Sequence, residues 1–353
     1  MPKLVVIPSD PLEAYYKAGY DKNWLEDYYN PLKFFDEVYL LSPIEKKERF
    51  ELEMKIIPTK PEQFKNRLKE LNISIVRAYG GYWACDLACS NKLKGVPVVV
   101  SVHDSNPKML YNSIENADAI FCTSKIVEDL VLTKVRNEHK VYILPNRVNF
   151  NVMYPYKPNQ LIDLNKKYPF KFKILHVGRK AEQKNLDTAI KALKILGTEY
   201  CLLAIGRGDQ IKYKKIAKNE GVKKQYFFLE SVQNKQLARY YSWADCMCTP
   251  SKWEGFGMVF IEALACESIV VTSNIRPINE YIEHMKNGLL VDEYENPEAL
   301  AKMIEIACND YQTRVLLKKN ARKSVERFEK KRIDELEVSY YKKILKLNSK
   351  ESM

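Results

Sequence analysis

Hydrophobic residues along the chain come in short continuous runs that alternate with longer stretches in which apolar positions recur every three or four residues. Short runs rich in β-branched residues are typical of strands covered on both faces, and the longer stretches have the spacing of amphipathic helices. The alternation predicts an α/β fold built from right-handed β-α-β units in doubly wound parallel sheets. The predicted strands form two series of six: Leu4–Ile7, Val38–Leu41, Ile73–Ala78, Val96–Val102, Ala119–Thr123 and Val141–Leu144, then Phe172–Val177, Tyr200–Ile205, Tyr226–Leu229, Cys246–Thr249, Ile269–Thr272 and Gly288–Val291.

Two series of strands indicate two domains, and a length of 353 residues corresponds to about two domains. Residues 154–170 separate the series and contain three prolines among polar residues, a composition that favours a linker. We therefore predict one domain over residues 1–160 and a second over 166–331. The apolar positions from Ile333 to Leu347 share one helical face, so a helix over 332–347 is expected to pack on one of these domains.

Composition narrows the class of protein without choosing its ligand. A hydrophobic fraction of 46% excludes wholesale disorder, and a net charge of +12 suits nucleic acid, anionic lipid or a phosphorylated ligand. The apolar run Leu4–Ile7 is too short for a secretory signal, and no run approaches the ~20 apolar residues that span a bilayer. We expect a cytoplasmic protein that is at most attached to the surface of a membrane.

The eight cysteines are predicted to be buried thiols. Most lie inside apolar runs, where free cysteine behaves as a small hydrophobic residue. The spacings Cys85/Cys89 and Cys246/Cys248 do not match the usual zinc patterns, and the chain has only four histidines. No metal site is predicted.

The segment 250–265 carries the most informative chemistry. It follows the strand Cys246–Thr249, and ligands bind at the carboxyl ends of strands in open α/β sheets. Gly255 and Gly257 permit a close approach of backbone to a ligand, and a helical pattern begins near Met258, so free amides at the helix start would face an anion such as a diphosphate.

Glu254 and Glu262 are eight positions apart, which along a helix is about 12 Å. The carboxylate pair of a retaining glycosidase requires about 5–5.5 Å, so this pair is better suited to holding two parts of one long ligand. An ordinary strand–turn–helix with two surface acids explains this segment equally well when it is taken alone.

A second loop carries cations at the same predicted sheet edge. Arg179 and Lys184 follow the strand Phe172–Val177, and such side chains neutralise phosphate through charge-assisted hydrogen bonds. Each by itself would more often be a solvated surface charge. Together with the Glu254–Glu262 segment, a shared phosphate pocket is the better interpretation.

In these residues the second domain resembles the retaining nucleotide-sugar glycosyltransferases of family 4, which have the GT-B fold. The similarity covers nearly all of 172–304, and the first domain is similar more loosely, through 98–104, 117–119 and Pro145-Asn146. The matching pieces are Val177-Gly178-Arg179 with Lys184, Ala244-Asp245, Glu254-Gly255-Phe256-Gly257 with Glu262, Asn287-Gly288-Leu289-Leu290-Val291 and Asn296-Pro297-Glu298-Ala299-Leu300.

The resemblance implies two Rossmann-like domains facing each other across a cleft, with the final helix returning to the first domain. It also implies roles at matching positions. Arg179 and Lys184 would bind the donor diphosphate, Glu254 would contact the transferred sugar, and Glu262 would bind the ribose. The backbone from Gly255 through Phe256 and Gly257 to Met258 would cap the phosphates, and His103 would support the reaction centre.

Other features of the first domain suggest where an acceptor binds. Gly80, Gly81 and Asp104 follow predicted strands at the cleft edge, so they are candidate acceptor residues. The chain departs from the family after its first strand, where Pro8-Ser9-Asp10-Pro11 stands in place of a Gly-Gly loop. An aromatic group follows and is either a packing face or a sugar-stacking surface; its members are Tyr15, Tyr16, Tyr20, Trp24, Tyr28 and Tyr29.

The predicted function is transfer of a sugar from a nucleoside-diphosphate-sugar donor to an acceptor hydroxyl, with retention and without a metal or other cofactor. A glycan or lipid-linked acceptor is expected, peripheral contact with an anionic membrane is a hypothesis, and nucleic acid is not an expected partner. Two alternatives stay open: a basic nucleic-acid-binding protein, because the net charge is +12, and a catalytically silent nucleotide-sugar-binding module.

Overall fold

The computed structural model describes residues 2–346, which fold into two α/β units. Residues 2–146 and 331–346 form the first unit, and residues 147–330 form the second. The strands are β1 Lys3–Ile7, β2 Glu37–Ser42, β3 Arg49–Glu51, β4 Met54–Pro58, β5 Ile75–Tyr79, β6 Val98–Val102, β7 Ala119–Cys122, β8 Val141–Ile143, β9 Phe172–Val177, β10 Tyr200–Ile205, β11 Tyr226–Leu229, β12 Cys246–Thr249, β13 Val270–Ser273 and β14 Leu289–Val291.

Helices connect most of these strands, as expected for parallel neighbours that need crossovers. The α-helices are α1 Leu12–Lys17, α2 Lys22–Tyr29, α3 Phe64–Glu70, α4 Trp83–Ser90, α5 Lys125–Leu132, α6 Ile162–Lys167, α7 Leu186–Leu196, α8 Gln210–Asn219, α9 Asn234–Trp243, α10 Met258–Ala265, α11 Pro297–Asn309, α12 Tyr311–Ser324 and α13 Lys330–Ile344.

The first unit is built on an eight-stranded sheet in the order β3-β4-β2-β1-β5-β6-β7-β8. Only β3 runs antiparallel to its neighbour in this sheet. Strand β1 lies between β2 and β5, with Val5 paired to Tyr39 on one side and to Val76 on the other. The strand order reverses at β1, so the loops after β1 and β5 border a switch point, where ligands bind in such sheets.

The second unit has a six-stranded parallel sheet in the order β11-β10-β9-β12-β13-β14. Strand β9 neighbours both β10 and β12, and the strand order reverses between β9 and β12. The register pairs Cys246 with Ile174 and Met247 with Leu175. The loops after β9 and β12 therefore begin side by side at the carboxyl edge of the sheet.

Both faces of each sheet are covered by apolar side chains. Successive residues of a strand point to opposite faces, and in β9 Ile174 belongs to one core cluster while Leu175 belongs to the other. Each is at most 1% exposed, and full burial of such a side chain stabilises the fold by about 1.5–3 kcal/mol. All eight cysteines are buried and form no disulfide.

The predicted fold class is confirmed: the chain is α/β with two mostly parallel sheets, and all twelve predicted strands are present. Two strands were not predicted, β3 and β4, which add a hairpin to the edge of the first sheet. Leu52 and Glu53 form its turn with φ of 57° and 52°. Asn and Gly usually occupy such left-handed positions, so the usual turn signal is absent here.

The division between the units falls at Asn146, ahead of the proline-rich segment that was predicted as the linker. That segment belongs to the second unit because Arg322 of α12 donates to the carbonyls of Met153 and Phe150, while Tyr156 N donates to Ser242 Oγ. Helix α13 belongs to the first unit, where Ile333 and Tyr341 are core residues. Leu347, included in the predicted helix, lies outside the described residues.

Candidate functional site

A buried ion pair joins the loops that follow β9 and β12. Lys184 donates to Glu254 Oε1, and Ser251 Oγ donates to the same oxygen at 2.8 Å. All three residues are buried, with Lys184 and Glu254 only 9% and 5% exposed. A buried charge is stable only when it is paired and hydrogen-bonded, so this carboxylate and ammonium hold each other at the edge of the sheet.

Arg179 lies on the same edge but is exposed to solvent. Its guanidinium donates to Gln183 Oε1 at 3.4 Å, and Gln183 Nε2 donates to the carbonyl of Trp253 at 2.9 Å. The Lys252 amide donates back to the carbonyl of Gln183 at 2.8 Å. These bonds fix the Arg179 loop against the Glu254 loop and leave most of the guanidinium available to a ligand.

Glycine is required where the first of these loops begins. Gly178 has φ of 151°, in the region that favours glycine, and a Cβ there would lie 3.1 Å from Lys184 Cγ. A side chain at this position would press on the stem of Lys184, which would have to move by a few tenths of an ångström.

The turn into α10 is held by a tyrosine that the sequence did not single out. Gly257 caps α10 with φ of 89°, and Phe256 beside it is buried. The buried hydroxyl of Tyr281 donates to the carbonyl of Phe256 at 2.7 Å. Met258 begins the helix as predicted, so the first amides of α10 are presented at the carboxyl end of β12.

Glu262 lies on the second turn of α10 and has a different partner from Glu254. Tyr241 of α9 donates its hydroxyl to Glu262 Oε2 at 3.1 Å. Burial raises the pKa of Glu262 to about 7, and the Tyr241 hydrogen bond opposes that rise. This carboxyl is therefore only partly ionised at neutral pH, while Glu254 has an ammonium beside it.

Two further titratable residues at this edge were missed by the sequence analysis. Lys180 is 5% exposed, and burial lowers its pKa to about 7. His176 in β9 is fully buried, its Nδ1 lies 3.1 Å from the carbonyl oxygen of Cys248, and burial with the charges of Lys180 and Lys184 lowers its pKa to about 3. Neither residue belongs to a motif that could be recognised in the sequence. A lysine beside Arg179 is expected to be another surface charge.

In the first unit, His103 and Asp104 follow β6, and Gly80 and Gly81 follow the neighbouring strand β5. The rings of His103 and Tyr79 stack with centroids 6.2 Å apart and planes 6° apart. Asp104 is exposed and accepts from the Asn106 amide at 2.8 Å.

The two positions after β5 favour glycine for different structural reasons. Gly80 has φ of 102°, a conformation that suits glycine. A Cβ at Gly81 would lie 2.8 Å from Leu110 Cδ1 and 3.1 Å from the carbonyl oxygen of Met109. These glycines let the loops after β5 and β6 pack closely at the carboxyl edge of the sheet.

Three members of the aromatic group of the first unit, Tyr20, Trp24 and Tyr28, form a column along α2 and the segment just before it. Trp24 stacks between Tyr20 and Tyr28, with centroids 4.4 and 4.8 Å away, and Tyr28 lies 5.3 Å from Tyr79. The rings are partly buried against the core of the unit. The column therefore packs on the fold and also extends towards the ring of Tyr79, on which His103 stacks.

Within the second unit, the structure brings Arg179, Lys184 and Glu254 together through direct contacts of their loops, and α10 places Gly257, Met258 and Glu262 in one continuous segment. His103 and the candidate acceptor residues belong to the other unit. Among residues 2–346, no group of three or more His, Cys, Asp or Glu could hold a metal ion. No helix within this range is long and apolar enough to cross a membrane.

Comparison with known proteins identifies the segment that carries this site. Residues 161–324 match the family model described as glycosyl transferases group 1. The uncharacterized glycosyltransferase MJ1178 of Methanocaldococcus jannaschii is 26% identical over 278 residues, which is 75% of this chain and 74% of that protein. MJ1607 of the same organism is 30% identical over 65% of this chain and 61% of its own length.

Solved structures match nearly the whole chain. The sucrose-phosphate synthase of Thermosynechococcus elongatus covers 98% of it at 18% identity with a TM-score of 0.83. Anabaena HepE in complex with UDP-glucose covers 96% at 16% identity with a TM-score of 0.80. These likenesses confirm the GT-B fold, and the match of residues 161–324 to glycosyl transferases group 1 supports glycosyltransferase as the enzyme class.

Proposed function

We propose that the protein transfers a sugar from a nucleoside-diphosphate-sugar to an acceptor hydroxyl, with retention at the anomeric carbon and without a metal. The observation that carries the proposal is the pair of loops at the β9–β12 switch point, where Arg179, the Lys184–Glu254 pair and the first turn of α10 converge within the segment that matches glycosyl transferases group 1. The solved complex of HepE with UDP-glucose supports a nucleotide-sugar as the donor class.

The chemistry of these groups suits a diphosphate leaving group. Negative charge on the diphosphate grows as the bond to the sugar breaks, and fixed cations and amides stabilise that charge without reorganising. Arg179 has an exposed fork of donors, and Lys184 has two N–H donors beyond the one directed at Glu254. These cations and the amide end of α10 supply the positive charge that a metal supplies in other transferases.

The remaining roles follow the resemblance described above. Glu254 is proposed to contact hydroxyls of the transferred sugar, and Glu262 the ribose. In a front-face step, the bond from the anomeric carbon to the phosphate oxygen breaks while the acceptor oxygen bonds to the same face. The acceptor proton passes to the departing phosphate oxygen. His103 of the first unit is proposed to support this centre, and the acceptor is proposed to be a glycan or a lipid-linked sugar.

The first experiment is a thermal-shift screen of UDP-, GDP-, ADP- and dTDP-sugars, because a ligand that binds the native state raises its melting temperature. The best donor is then supplied with acceptor sugars in the presence of EDTA, and the anomeric proton coupling of the product is read by NMR. Retention with full activity in EDTA is expected. Inversion, dependence on a divalent metal, or binding without transfer to any acceptor or to water would contradict the proposal.

A further inference from the structure

Lys180 has surroundings unlike those of the other cations at the carboxyl edge of the second sheet. Its side chain is buried, its Nζ donates to the carbonyl of Gly206 at 2.5 Å, and Nζ lies 4.1 Å from the ring centre of Phe228. Lys184 is neutralised by Glu254, but among residues 2–346 Lys180 forms no ion pair with a carboxylate. The charge of Glu230 acts on it only from a distance.

The backbone around Lys180 is held in place by contacts with the turn after β10. Its amide donates to the carbonyl of Arg207 at 2.6 Å, and the residue forms a parallel bridge with Gly208. A Cβ at Gly206 would lie 2.0 Å from the carbonyl oxygen of Gly178. The turns after β9 and β10 are thus packed backbone to backbone, which directs the Lys180 side chain inward while Arg179 faces solvent.

Burying an ammonium without a counter-ion is costly, and an anion bound nearby lowers that cost. We propose that Lys180 is a third cation of the donor site, which acts on the diphosphate of a nucleotide sugar bound beside Arg179. The proposal rests on the proposed function, since it needs the diphosphate at this edge. Lys180 would attract the diphosphate electrostatically from inside the protein, without touching it. Arg179 and Lys184 would contact the phosphates directly.

The groups around Lys180 determine whether its pKa rises or falls when a diphosphate binds. Burial lowers its pKa to about 7, Glu230 opposes this, and His176 beneath it stays neutral because its own pKa is about 3. A bound diphosphate raises the pKa of Lys180, so binding takes up a proton between the free and bound values. If that rise is about one unit, uptake is about half a proton at pH 7.5, and affinity falls about tenfold as pH rises from 6 to 9.

Three variants separate this role from a structural one. Lys180→Met keeps a linear side chain without charge, Lys180→Arg keeps a charge at every pH, and Lys194→Met removes an exposed lysine of α7 as the matched control. Each is titrated calorimetrically with UDP-glucose, GDP-mannose, ADP-glucose and dTDP-glucose, whose diphosphates do not titrate in this range. HEPES and Tris at pH 7.5 are used because their different ionisation enthalpies reveal proton uptake.

The wild type and Lys194→Met are expected to take up about half a proton and to lose affinity above pH 7. Lys180→Met should lose this uptake and bind at pH 6 about as weakly as the wild type does at pH 9, and Lys180→Arg should bind tightly at pH 9. Lys180→Met should melt no lower than the wild type at pH 6, because it removes a buried charge. Unchanged uptake and an unchanged pH profile in Lys180→Met would overturn the proposal. Failure of all four sugars to bind would instead overturn the proposed function.

Discussion

The ammonium of Lys184 donates a hydrogen bond to Glu254, which lies 70 positions further along the chain, and both residues are buried. The pair exists because β9 and β12 are neighbours at the point where the order of the sheet reverses. It sets a cation and an anion within one small volume at the end of two strands. Substitution of either partner should therefore change both the fold and the proposed donor site, in ways that differ between them.

Lys184→Met removes the ammonium that pairs with the buried carboxylate of Glu254, so unfolding should need about 3–5 kcal/mol less free energy. Glu254→Gln keeps an acceptor for Ser251 but leaves the buried ammonium of Lys184 without its carboxylate partner, so this variant should also lose stability. It should bind nucleoside diphosphate at least as tightly as the wild type and should slow sugar transfer about 100-fold. Urea unfolding and steady-state turnover measure these effects. Glu182→Gln, which removes an exposed carboxylate nearby, should leave both unchanged; weaker diphosphate binding by Glu254→Gln would contradict this account.

The raised pKa of Glu262, about 7, predicts how stability depends on pH. In the unfolded chain this carboxyl has its ordinary pKa of 4.5, so the folded state holds a proton that the unfolded state loses between those values. The resulting stability is present below pH 4.5 and is lost as pH rises through 7. The free energy of unfolding of Glu262→Gln should therefore exceed that of the wild type by up to about 3 kcal/mol at pH 8. Thermal melts from pH 5 to 8 measure this difference. Glu267→Gln, at an exposed neighbour, should show no such trend.

Tyr281→Phe removes the hydroxyl that holds the carbonyl of Phe256. Loss of one buried hydrogen bond costs about 1 kcal/mol and should loosen the turn before α10. The KM for the donor sugar should rise about fivefold, while the KM for the acceptor should stay constant. Steady-state kinetics in both substrates separates these effects, with Tyr311→Phe as a control at a residue that is 77% exposed. An increase confined to the acceptor KM would show that this turn serves the other substrate.

Gly257→Ala and Gly197→Ala form a matched pair, because both positions have positive φ, 89° and 84°. A Cβ at Gly257 would lie 2.6 Å from the Phe260 ring, whereas a Cβ at Gly197 meets nothing within 4 Å. Both variants should lose about 1–2 kcal/mol from backbone strain. Only Gly257→Ala should also lose donor binding, measured by calorimetry. Equal loss of binding in both would mean that the close packing around Gly257 has no part in the site.

Arg77 of β5 is buried in the first unit and donates to Glu337 and Tyr341 of α13. Glu337→Gln removes the counter-charge of a fully buried guanidinium, which typically costs about 3–5 kcal/mol. Thermal and urea unfolding should show this loss, whereas Glu335→Gln, on the exposed side of the same helix, should leave stability within about 0.5 kcal/mol. A neutral result for Glu337→Gln would mean that Tyr341 and Ser101 satisfy Arg77 by themselves.

Regular elements were predictable because burial on both faces leaves a simple pattern in the sequence. The twelve apolar strands and the helix beginning at Met258 all follow from that pattern. Strand β3 was missed because it is a short edge strand, and the turn residues Leu52 and Glu53 have no turn signature. Strand β4 is buried at Met54 and Ile56, and it was missed because nothing marked the hairpin that it forms with β3. Edge strands bury less and so leave a weaker signal.

The candidate site was only partly predictable for a related reason. Glu254, Lys184 and Arg179 stand in a recognisable spacing, so the sequence indicates them. The residues that support the site, Ser251 beside Glu254 and Tyr281 beside Phe256, are ordinary polar residues until the fold brings them into contact. Lys180 is the clearest case, since the burial that makes it unusual depends on packing between turns that are distant in sequence.

Because α13 belongs to the first unit, that unit has all of its elements only after residues 147–330 have been synthesised. Domains usually fold in the order in which they are synthesised. Here the last helix of the first unit is synthesised after the whole of the second unit. During that interval the guanidinium of Arg77 has no Glu337 beside it, and the apolar face that receives Ile333 and Tyr341 is open to water or to chaperones. A released chain that ends at residue 330 should therefore protect the second unit from protease while leaving the first one susceptible.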